Sequence, residues 1–199
     1  MKQPISLRRS RGAALVVALV MLVVVTLVGV TAARLALSDE RSARSSRDHD
    51  LALQAAEAAL RDAMADIDTG LRATLFNTSA GFESNCPNTT LPANAAAAAT
   101  NYRGMCIPSS PTASRQLWQD VNLGQRGVPY GTFTSKTWDT SQVPAPAYIV
   151  ETLPFNAAGS EVTGAGRLPE QLAYRITAVG FGPGGAIEVA LQSFYVKIP

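Results

Sequence analysis

The sequence contains few of the residues on which catalysis and metal binding depend. It has one histidine, His49, and two cysteines, Cys86 and Cys106, among 199 residues. No glycine-rich phosphate loop and no Gly-x-Ser-x-Gly elbow is present, and the cysteines lack C-x-x-C spacing. His49 lies between charged neighbours, so we expect a solvated side chain with no partner to tune it. The sequence therefore predicts a protein that is not an enzyme and that uses no cofactor and no metal ion.

Charge of either sign is missing from one long stretch. The whole chain is nearly balanced, with 17 basic and 15 acidic residues, so no basic face is indicated and we expect no nucleic-acid partner. No ionisable side chain occurs from Gly12 to Ala33. The 21 residues from Ala13 to Ala33 would form a helix of about 31 Å, the thickness of a bilayer's hydrocarbon core. The sequence predicts one transmembrane helix here.

The charges beside this segment orient it. Four cations precede it: Lys2, Arg8, Arg9 and Arg11. They favour a cytoplasmic N-terminus and export of the chain from Arg34 onward. Small residues such as Ala13 and Gly29 would permit other helices to approach closely. A secretory signal cut after Ala32 is disfavoured because the apolar core is too long, whereas an unprocessed membrane anchor fits the composition equally well.

The helix is predicted to continue far beyond the apolar segment. Neither Gly nor Pro occurs from Thr31 to Thr69, so we expect one helix of 56 residues from Ala13 to Asp68. Residues 38–50 are polar on every face, which predicts a solvated stalk or a surface that meets other subunits. Apolar residues then recur at spacings of three and four, which predicts a face packed on a folded body: Leu53, Ala56, Leu60, Met64, Ile67 and Leu71. Gly70 is expected to end the helix as a left-handed cap.

The composition changes between Asn77 and Pro146, where Asn, Thr, Ser, Pro and Gly are frequent and periodicity is weak. This region is expected to be mostly loop, either a functional insertion or a surface held by a disulfide. Cys86 and Cys106 fall in the exported part, where an oxidising compartment favours a bond between them. A closed loop of about 20 residues would contribute about 3 kcal/mol to stability.

Three strand-like segments end the chain, at residues 147–153, 172–179 and 186–196. In the second segment Tyr174, Ile176 and Ala178 share one face, which is the alternation typical of a half-buried strand. The glycine-rich residues 180–185 predict a hairpin between the last two segments. The sequence thus predicts an α+β fold in which the long N-terminal helix, half membrane segment and half amphipathic, packs on a C-terminal antiparallel sheet.

The residues Arg11 to Val17, RGAALVV, followed by the apolar helix, resemble a type IV prepilin leader, a short basic peptide that ends in Gly. The longer stretch 11–63, and most specifically its residues 51–60, LALQAAEAAL, is similar to the PilX type of minor pilin and assembly protein. Residues 174–178 and 191–193 also look like that family. The resemblance covers the N-terminal third strongly and parts of the last strands weakly, and it leaves the middle of the chain unmatched.

The resemblance implies a type IV pilin-like fold and cleavage between Gly12 and Ala13, with methylation of the new N-terminus. The expected partners are a prepilin peptidase, an inner-membrane assembly platform, the major pilin and other minor pilins. The subunit would be a single-pass protein of the bacterial inner membrane, with its C-terminal domain in the periplasm, and would later enter a pilus at the cell surface. The expected segments are a leader, a transmembrane helix, its exported continuation, a loop-rich region with the cysteine pair, and the sheet: 1–12, 13–33, 34–71, 72–146 and 147–199.

One position departs from the pattern of major pilins. They carry a glutamate at the fifth mature position, taken to pair with the N-terminal ammonium of a neighbour, and here that position is Val17. An uncompensated charge in an apolar core is costly. We therefore predict a minor pilin that primes pilus assembly and is incorporated in the pilus, at the tip or in an initiation complex, where no subunit lies beyond it. Two other functions stay open: an adhesive surface in residues 77–146, with Tyr102, Trp118 and Trp138, or a pseudopilin of a type II secretion system.

Overall fold

A computed structural model of the chain describes residues 13–84, 86–87, 89–109, 116–120, 122–154 and 172–197. The predicted leader, with Gly12, lies outside these residues. The chain divides into two compact units, one up to Ser46 and one from Arg47 onward. The described residues of the first unit form the N-terminal part of helix α1, Ala13–Asp68. Helix α1 is the one predicted from the sequence, with the same bounds, and it continues into the second unit.

The end of α1 differs from the prediction. Gly70 is not among the residues with a left-handed backbone, so the predicted cap is wrong. A glycine is needed at position 70 because there is no room for a side chain. A Cβ there would lie 2.6 Å from the Cα of Asp66 and 2.7 Å from the carbonyl oxygen of Asp66. The chain turns back closely over the last helical turn, and the amide of Leu71 donates to the carbonyl of Phe133 at 2.8 Å.

The second unit combines the C-terminal part of α1 with a five-stranded sheet and several short helices. The strands are β1 Met105–Cys106, β2 Val128–Pro129, β3 Ala147–Pro154, β4 Leu172–Phe181 and β5 Glu188–Val196. The short α-helices are α2 Ala95–Ala98, α3 Leu117–Asp120 and α4 Leu123–Arg126, and the 3-10 helices are Ala73–Asn77 and Pro183–Gly185.

The sheet has the order β1-β3-β4-β5, with β2 also paired to β3. The predicted hairpin is present, since β4 and β5 are antiparallel and β3 is antiparallel to β4. The sheet is mixed, however, because β1 is parallel to β3. The two-residue strands β1 and β2 come from the region expected to be loop, and they lack the length that an alternation pattern needs.

Helix α1 packs on the sheet through alanines. Ala52, Ala55, Ala56, Ala59 and Ala63 are at most 1% exposed, whereas the predicted face was centred on larger side chains. Of that face, Ala56 and Ile67 are fully buried, Leu53, Leu60 and Met64 are half-buried, and Leu71 is 42% exposed. Small side chains let the helix and sheet backbones approach closely.

Gly180 lies at the closest point of this contact. A Cβ there would lie 2.1 Å from the carbonyl oxygen of Ala52 and 2.4 Å from the amide of Ala56. Gly180 therefore belongs to β4 and to the helix contact, and not to the hairpin turn in which the sequence placed it. The turn is formed by residues 182–187, where the Gly182 amide donates to the Ile187 carbonyl at 2.8 Å.

Both faces of the sheet carry buried side chains, although the outer face of β5 is exposed. Tyr148, Val150, Tyr174, Ile176 and Ala178 form a core with the α1 face, to which the middle of the chain adds Phe82, Met105, Val128 and Phe133. On the opposite face a smaller core contains Cys86, Cys106, Leu123, Ala147, Ile149 and Val179. Residues 77–146 thus supply core on both sides, so this region is not a removable insertion.

Candidate functional site

The apolar part of α1 is a candidate site for membrane insertion and assembly. Its large side chains from Leu15 to Leu37 are between 46% and 70% exposed, which water alone would penalise heavily. This is the one helix among the described residues that is long and apolar enough to cross a membrane. It fits a single-pass anchor, and it contains Ala13, Val17, Gly29 and Ala33, the positions expected to form the membrane helix.

The two polar side chains within residues 13–33, Thr26 and Thr31, need no external partner. Thr26 donates its hydroxyl to the carbonyl of Val23 at 2.9 Å, and Thr31 donates to the carbonyl of Val28 at 2.8 Å. From Val17 onward each helical N–H can also donate to the carbonyl four residues earlier, so this part of the segment needs no water. Lipid tails and neighbouring apolar helices are both suitable surroundings for such a surface.

The polar stretch 38–50 follows, with exposed side chains throughout except for half-buried Asp48. Its charges are paired in part along the helix, since Arg44 bonds Glu40 at 2.6 Å with both side chains exposed. His49 is exposed, as the sequence predicts. Exposed pairs of this kind contribute little to stability, so the stretch is suited to solvent or to contact with another protein.

A buried ion pair joins the end of α1 to the loops below it. The Arg72 guanidinium donates to the Asp66 carboxylate from Nε at 3.0 Å and from Nη2 at 2.7 Å, and both side chains are fully buried. Nη1 of Arg72 donates to the carbonyls of Asn101 and Arg103 at 2.9 and 2.7 Å. The guanidinium also lies over the Phe133 ring, 3.8 Å from its centroid.

The same carboxylate reaches the sheet. The Tyr148 hydroxyl on β3 donates to Asp66 at 2.9 Å. Burial and then the charge of Asp66 raise the pKa of Tyr148 well above its ordinary value. Asp66 therefore connects helix, loop and sheet at one buried point, and it was not among the residues predicted from the sequence. One feature of the sequence could have indicated it: an acidic residue on the alanine-rich face of a helix, where a buried charge needs a partner.

A second buried carboxylate lies one turn earlier on the same face. Asp62 accepts from the Gly131 amide at 2.7 Å and from the Thr134 hydroxyl, and it lies 3.2 Å from the Lys136 ammonium. It fixes the loop that follows β2. Among the described residues, no group of three or more His, Cys, Asp or Glu side chains could hold a metal ion.

Cys86 and Cys106 form a disulfide bond and are almost completely buried. Cys106 belongs to β1, so the bond fixes the preceding loop to the edge of the sheet. Among the aromatics predicted for an adhesive surface, Tyr102 packs on the core. Trp138 is half-buried, forms an edge-on pair with Tyr130 at 5.1 Å between ring centroids, and donates from Nε1 to the Val143 carbonyl at 3.1 Å. The side chain of Trp118 lies outside the described residues.

Two family models match the chain and together cover most of it. One, described as PilX N-terminal, matches residues 11–61, the stretch that includes the apolar helix and the polar stalk. The other, described as type IV pilus assembly protein PilX C-term, matches residues 73–197. The chain belongs to the PilX family of type IV pilus assembly proteins. No curated protein and no solved structure matches it significantly.

This PilX-family assignment extends the resemblance seen in the sequence. The match to the C-terminal model includes residues 77–146, which the resemblance had left unmatched. The disulfide, the short strands β1 and β2 and the loop fixed by Asp62 are therefore parts of the matched region. The α+β fold, with a long N-terminal helix followed by a mixed sheet, is consistent with a pilin-like subunit.

Proposed function

We propose that this PilX-family chain is a minor pilin that primes assembly of a type IV pilus and is incorporated into it. The observation that carries the proposal is the exposed apolar part of α1, whose two threonine hydroxyls bond within the helix. Such a segment can be stored in the inner membrane, with the folded unit in the periplasm, and then move into a filament core where apolar helices replace lipid. The partners would be the major pilin, other minor pilins and the assembly platform.

Entry into this pathway requires processing by a prepilin peptidase between Gly12 and Ala13. The test is the intact mass and N-terminal residue of the protein recovered from membranes, with and without the peptidase. A peptidase-dependent start at Ala13, with an added methyl group, is the expected result. A Gly29→Val variant, altered within the apolar segment, should be processed normally and serves as a control. An intact Met1 or a cut near Ala32 would overturn the proposal.

The position in the filament is inferred from Val17. With no carboxylate from Gly12 to Ala33, the subunit has no acid to pair with the N-terminal ammonium of a neighbour. It is therefore suited to the tip, where no subunit lies beyond it. Immunogold labelling of the folded unit should mark filament ends. Uniform labelling along shafts, in amounts comparable to the major pilin, would contradict the tip position.

The priming role has its own test. A clean deletion should abolish surface pili, and normal piliation would count against it. A pseudopilin of a type II secretion system remains the nearest alternative. In that case the deletion would spare pili and block secretion of the substrates of that system.

An adhesive role is the second candidate, and the half-buried pair of Tyr130 and Trp138 is the observation that favours it. Lys136 lies close to this pair, its ammonium 5.9 Å from the centroid of the Tyr130 ring, so the surface combines aromatic rings with a cation. Because residues 77–146 supply core, a deletion cannot test the idea. Trp138→Ala should leave pili intact and abolish adhesion. The control Trp138→Phe keeps an aromatic ring and should retain adhesion. Unchanged adhesion in Trp138→Ala would end this alternative.

A further inference from the structure

Two arginines and a serine lie on one face of α1 just beyond its apolar segment. At 3.6 residues per turn, Arg34 and Arg41 are about 20° apart around the helix, and Ser38 lies within about 60° of both. All three side chains are exposed. Asp39 lies about 140° from Arg34, on the other side of the helix. These three residues, the donor face, therefore present hydrogen-bond donors, two of them cationic, in one direction.

The side chains of the donor face have no partner in the part of the chain that the structure describes. Their neighbours along the helix differ in this respect. Arg44 bonds Glu40 at 2.6 Å, and the hydroxyls of Thr26 and Thr31 donate to helix carbonyls. No acidic residue stands three or four positions from either arginine of the donor face, which is the spacing at which charges pair on a helix. These donors are thus available to a partner outside the chain.

The donor face lies where the helix would leave a bilayer. Arg34 directly follows Ala33, the last residue of the apolar segment, and Leu37, between the two arginines, is 58% exposed. Side chains of an α-helix tilt toward its N-terminus, which here means toward the membrane. Arg41 lies about 12 Å beyond Ala33 along the axis, and its long side chain reaches back toward the headgroup layer, which is about 5 to 8 Å thick.

We propose that Arg34, Ser38 and Arg41 bind the phosphate of an anionic lipid headgroup, in the leaflet at the C-terminal end of the apolar segment. Guanidinium groups match the geometry of phosphate oxygens, and the serine hydroxyl can donate to a further oxygen. A zwitterionic headgroup carries its own cation beside the phosphate, so two arginines favour an anionic lipid. The inference rests on the membrane insertion of the proposed pilus subunit, and it does not depend on cleavage at Gly12 or on the tip position.

The lipid that the full-length chain retains tests this site. The chain is inserted into bilayers of equal parts phosphatidylglycerol and phosphatidylcholine and then extracted in detergent, and the bound lipids are counted by native mass spectrometry. The wild type should retain phosphatidylglycerol in preference to phosphatidylcholine. Arg34→Gln and Arg41→Gln should each lower this preference about fivefold, and together about 25-fold, since each cation near an anionic membrane surface contributes a similar attraction.

Two controls separate a lipid site from a general attraction between charges. Arg44→Gln removes one positive charge, as Arg41→Gln does, but Arg44 is already paired with Glu40, so the lipid preference should stay near that of the wild type. The double variant Arg41→Ser with Ser42→Arg keeps the composition and moves the cation about 100° around the helix. It should lose as much preference as Arg41→Gln.

Equal losses in Arg41→Gln and Arg44→Gln, or full retention in the variant with the moved cation, would overturn the proposal. A wild type that enters the bilayer and shows no lipid preference would also overturn it and leave the membrane anchor intact, whereas failure to enter the bilayer would overturn the anchor too. If Arg34→Gln with Arg41→Gln instead reduced the amount of another pilin recovered with the chain, at unchanged lipid preference, the donor face would bind a protein and the lipid proposal would be wrong.

Discussion

The buried pair of Asp66 and Arg72 gives the largest effect expected from a single side chain. Arg72→Met removes the cation, and among the described side chains the Tyr148 hydroxyl is then the remaining partner of the buried Asp66 carboxylate. Breaking one half of a buried ion pair costs about 3–5 kcal/mol. The free energy of unfolding, measured by urea titration of the full chain in detergent with tryptophan fluorescence, should fall by that amount.

The matched control is the exposed pair of Arg61 and Glu57 on the same helix, 3.2 Å apart. Arg61→Met should change the free energy of unfolding by less than about 0.5 kcal/mol, since exposed pairs four residues apart contribute little. Equal effects of the two variants would show that burial does not govern the Asp66 interaction.

Gly180 is the residue whose replacement should most directly separate helix from sheet. Gly180→Ala places a Cβ 2.1 Å from the Ala52 carbonyl oxygen, so α1 or β4 must shift. Overpacking of this kind costs about 1–3 kcal/mol, which the same urea titration would detect. Gly124→Ala is the control, because its Cβ would meet only ordinary contacts at 3.4 and 3.5 Å. If Gly180→Ala is as stable as Gly124→Ala, the close approach is not required.

Single residues were the least predictable feature from sequence. Periodicity indicated that residues 51–71 have a buried face, yet it favoured leucines over the alanines of α1 that contact the sheet. Asp66 and Arg72 are close in sequence, but their partners Asn101, Arg103 and Tyr148 are not. Such contacts depend on how distant segments meet, and no local pattern encodes that.

At the scale of elements, strand β1 depends on a covalent attachment. β1 has two residues paired with β3, and Cys106 within it is bonded to Cys86. Replacing both cysteines by alanine opens a loop of about 20 residues and should destabilise the fold by about 3 kcal/mol. Hydrogen exchange should show early loss of protection at Met105 and Cys106. The β4–β5 hairpin should keep its protection, and equal loss there would indicate that the disulfide supports the whole sheet.

Long elements could be predicted from sequence, and short ones could not. Helix α1 and strands β3, β4 and β5 have enough residues to show a period of 3.6 or 2. The turn between β4 and β5 was indicated by its glycines, of which Gly184 and Gly185 do adopt positive φ. β1 and β2 are held by the disulfide and by pairing with β3, which are consequences of the tertiary fold.

At the scale of the whole molecule, stability should fall at alkaline pH. Burial raises the pKa of Tyr174 to about 12. Below pH about 10 the phenol is protonated in both folded and unfolded states, so it causes no pH dependence there. Between about pH 10 and 12 only the unfolded state loses the proton, so the free energy of unfolding decreases by up to about 1.4 kcal/mol per pH unit.

Tyr174→Phe should make this decrease shallower, even though loss of the hydrogen bond to the Phe76 carbonyl lowers stability at neutral pH. The slope above pH 10 is therefore the readout, followed by urea titration at each pH. Phenolate absorbance should rise together with unfolding. An unchanged slope in Tyr174→Phe would assign the alkaline loss to other groups, of which buried Tyr148 is the next to test.

Residue 17 is expected to determine the place of the subunit in the filament. If the missing carboxylate at residue 17 restricts this chain to the tip, Val17→Glu should allow it to accept a neighbour's N-terminal ammonium and to enter the shaft. Val17→Gln has the same size without the charge and should remain at the tip. Gold labels would then mark shafts in the glutamate variant and ends in the wild type and the glutamine variant. In the glutamate variant the new carboxylate can pair with a neighbour's N-terminal ammonium, which removes the cost of burying that charge unpaired. Labelling restricted to filament ends in all three proteins would therefore show that residue 17 does not determine the position of the subunit.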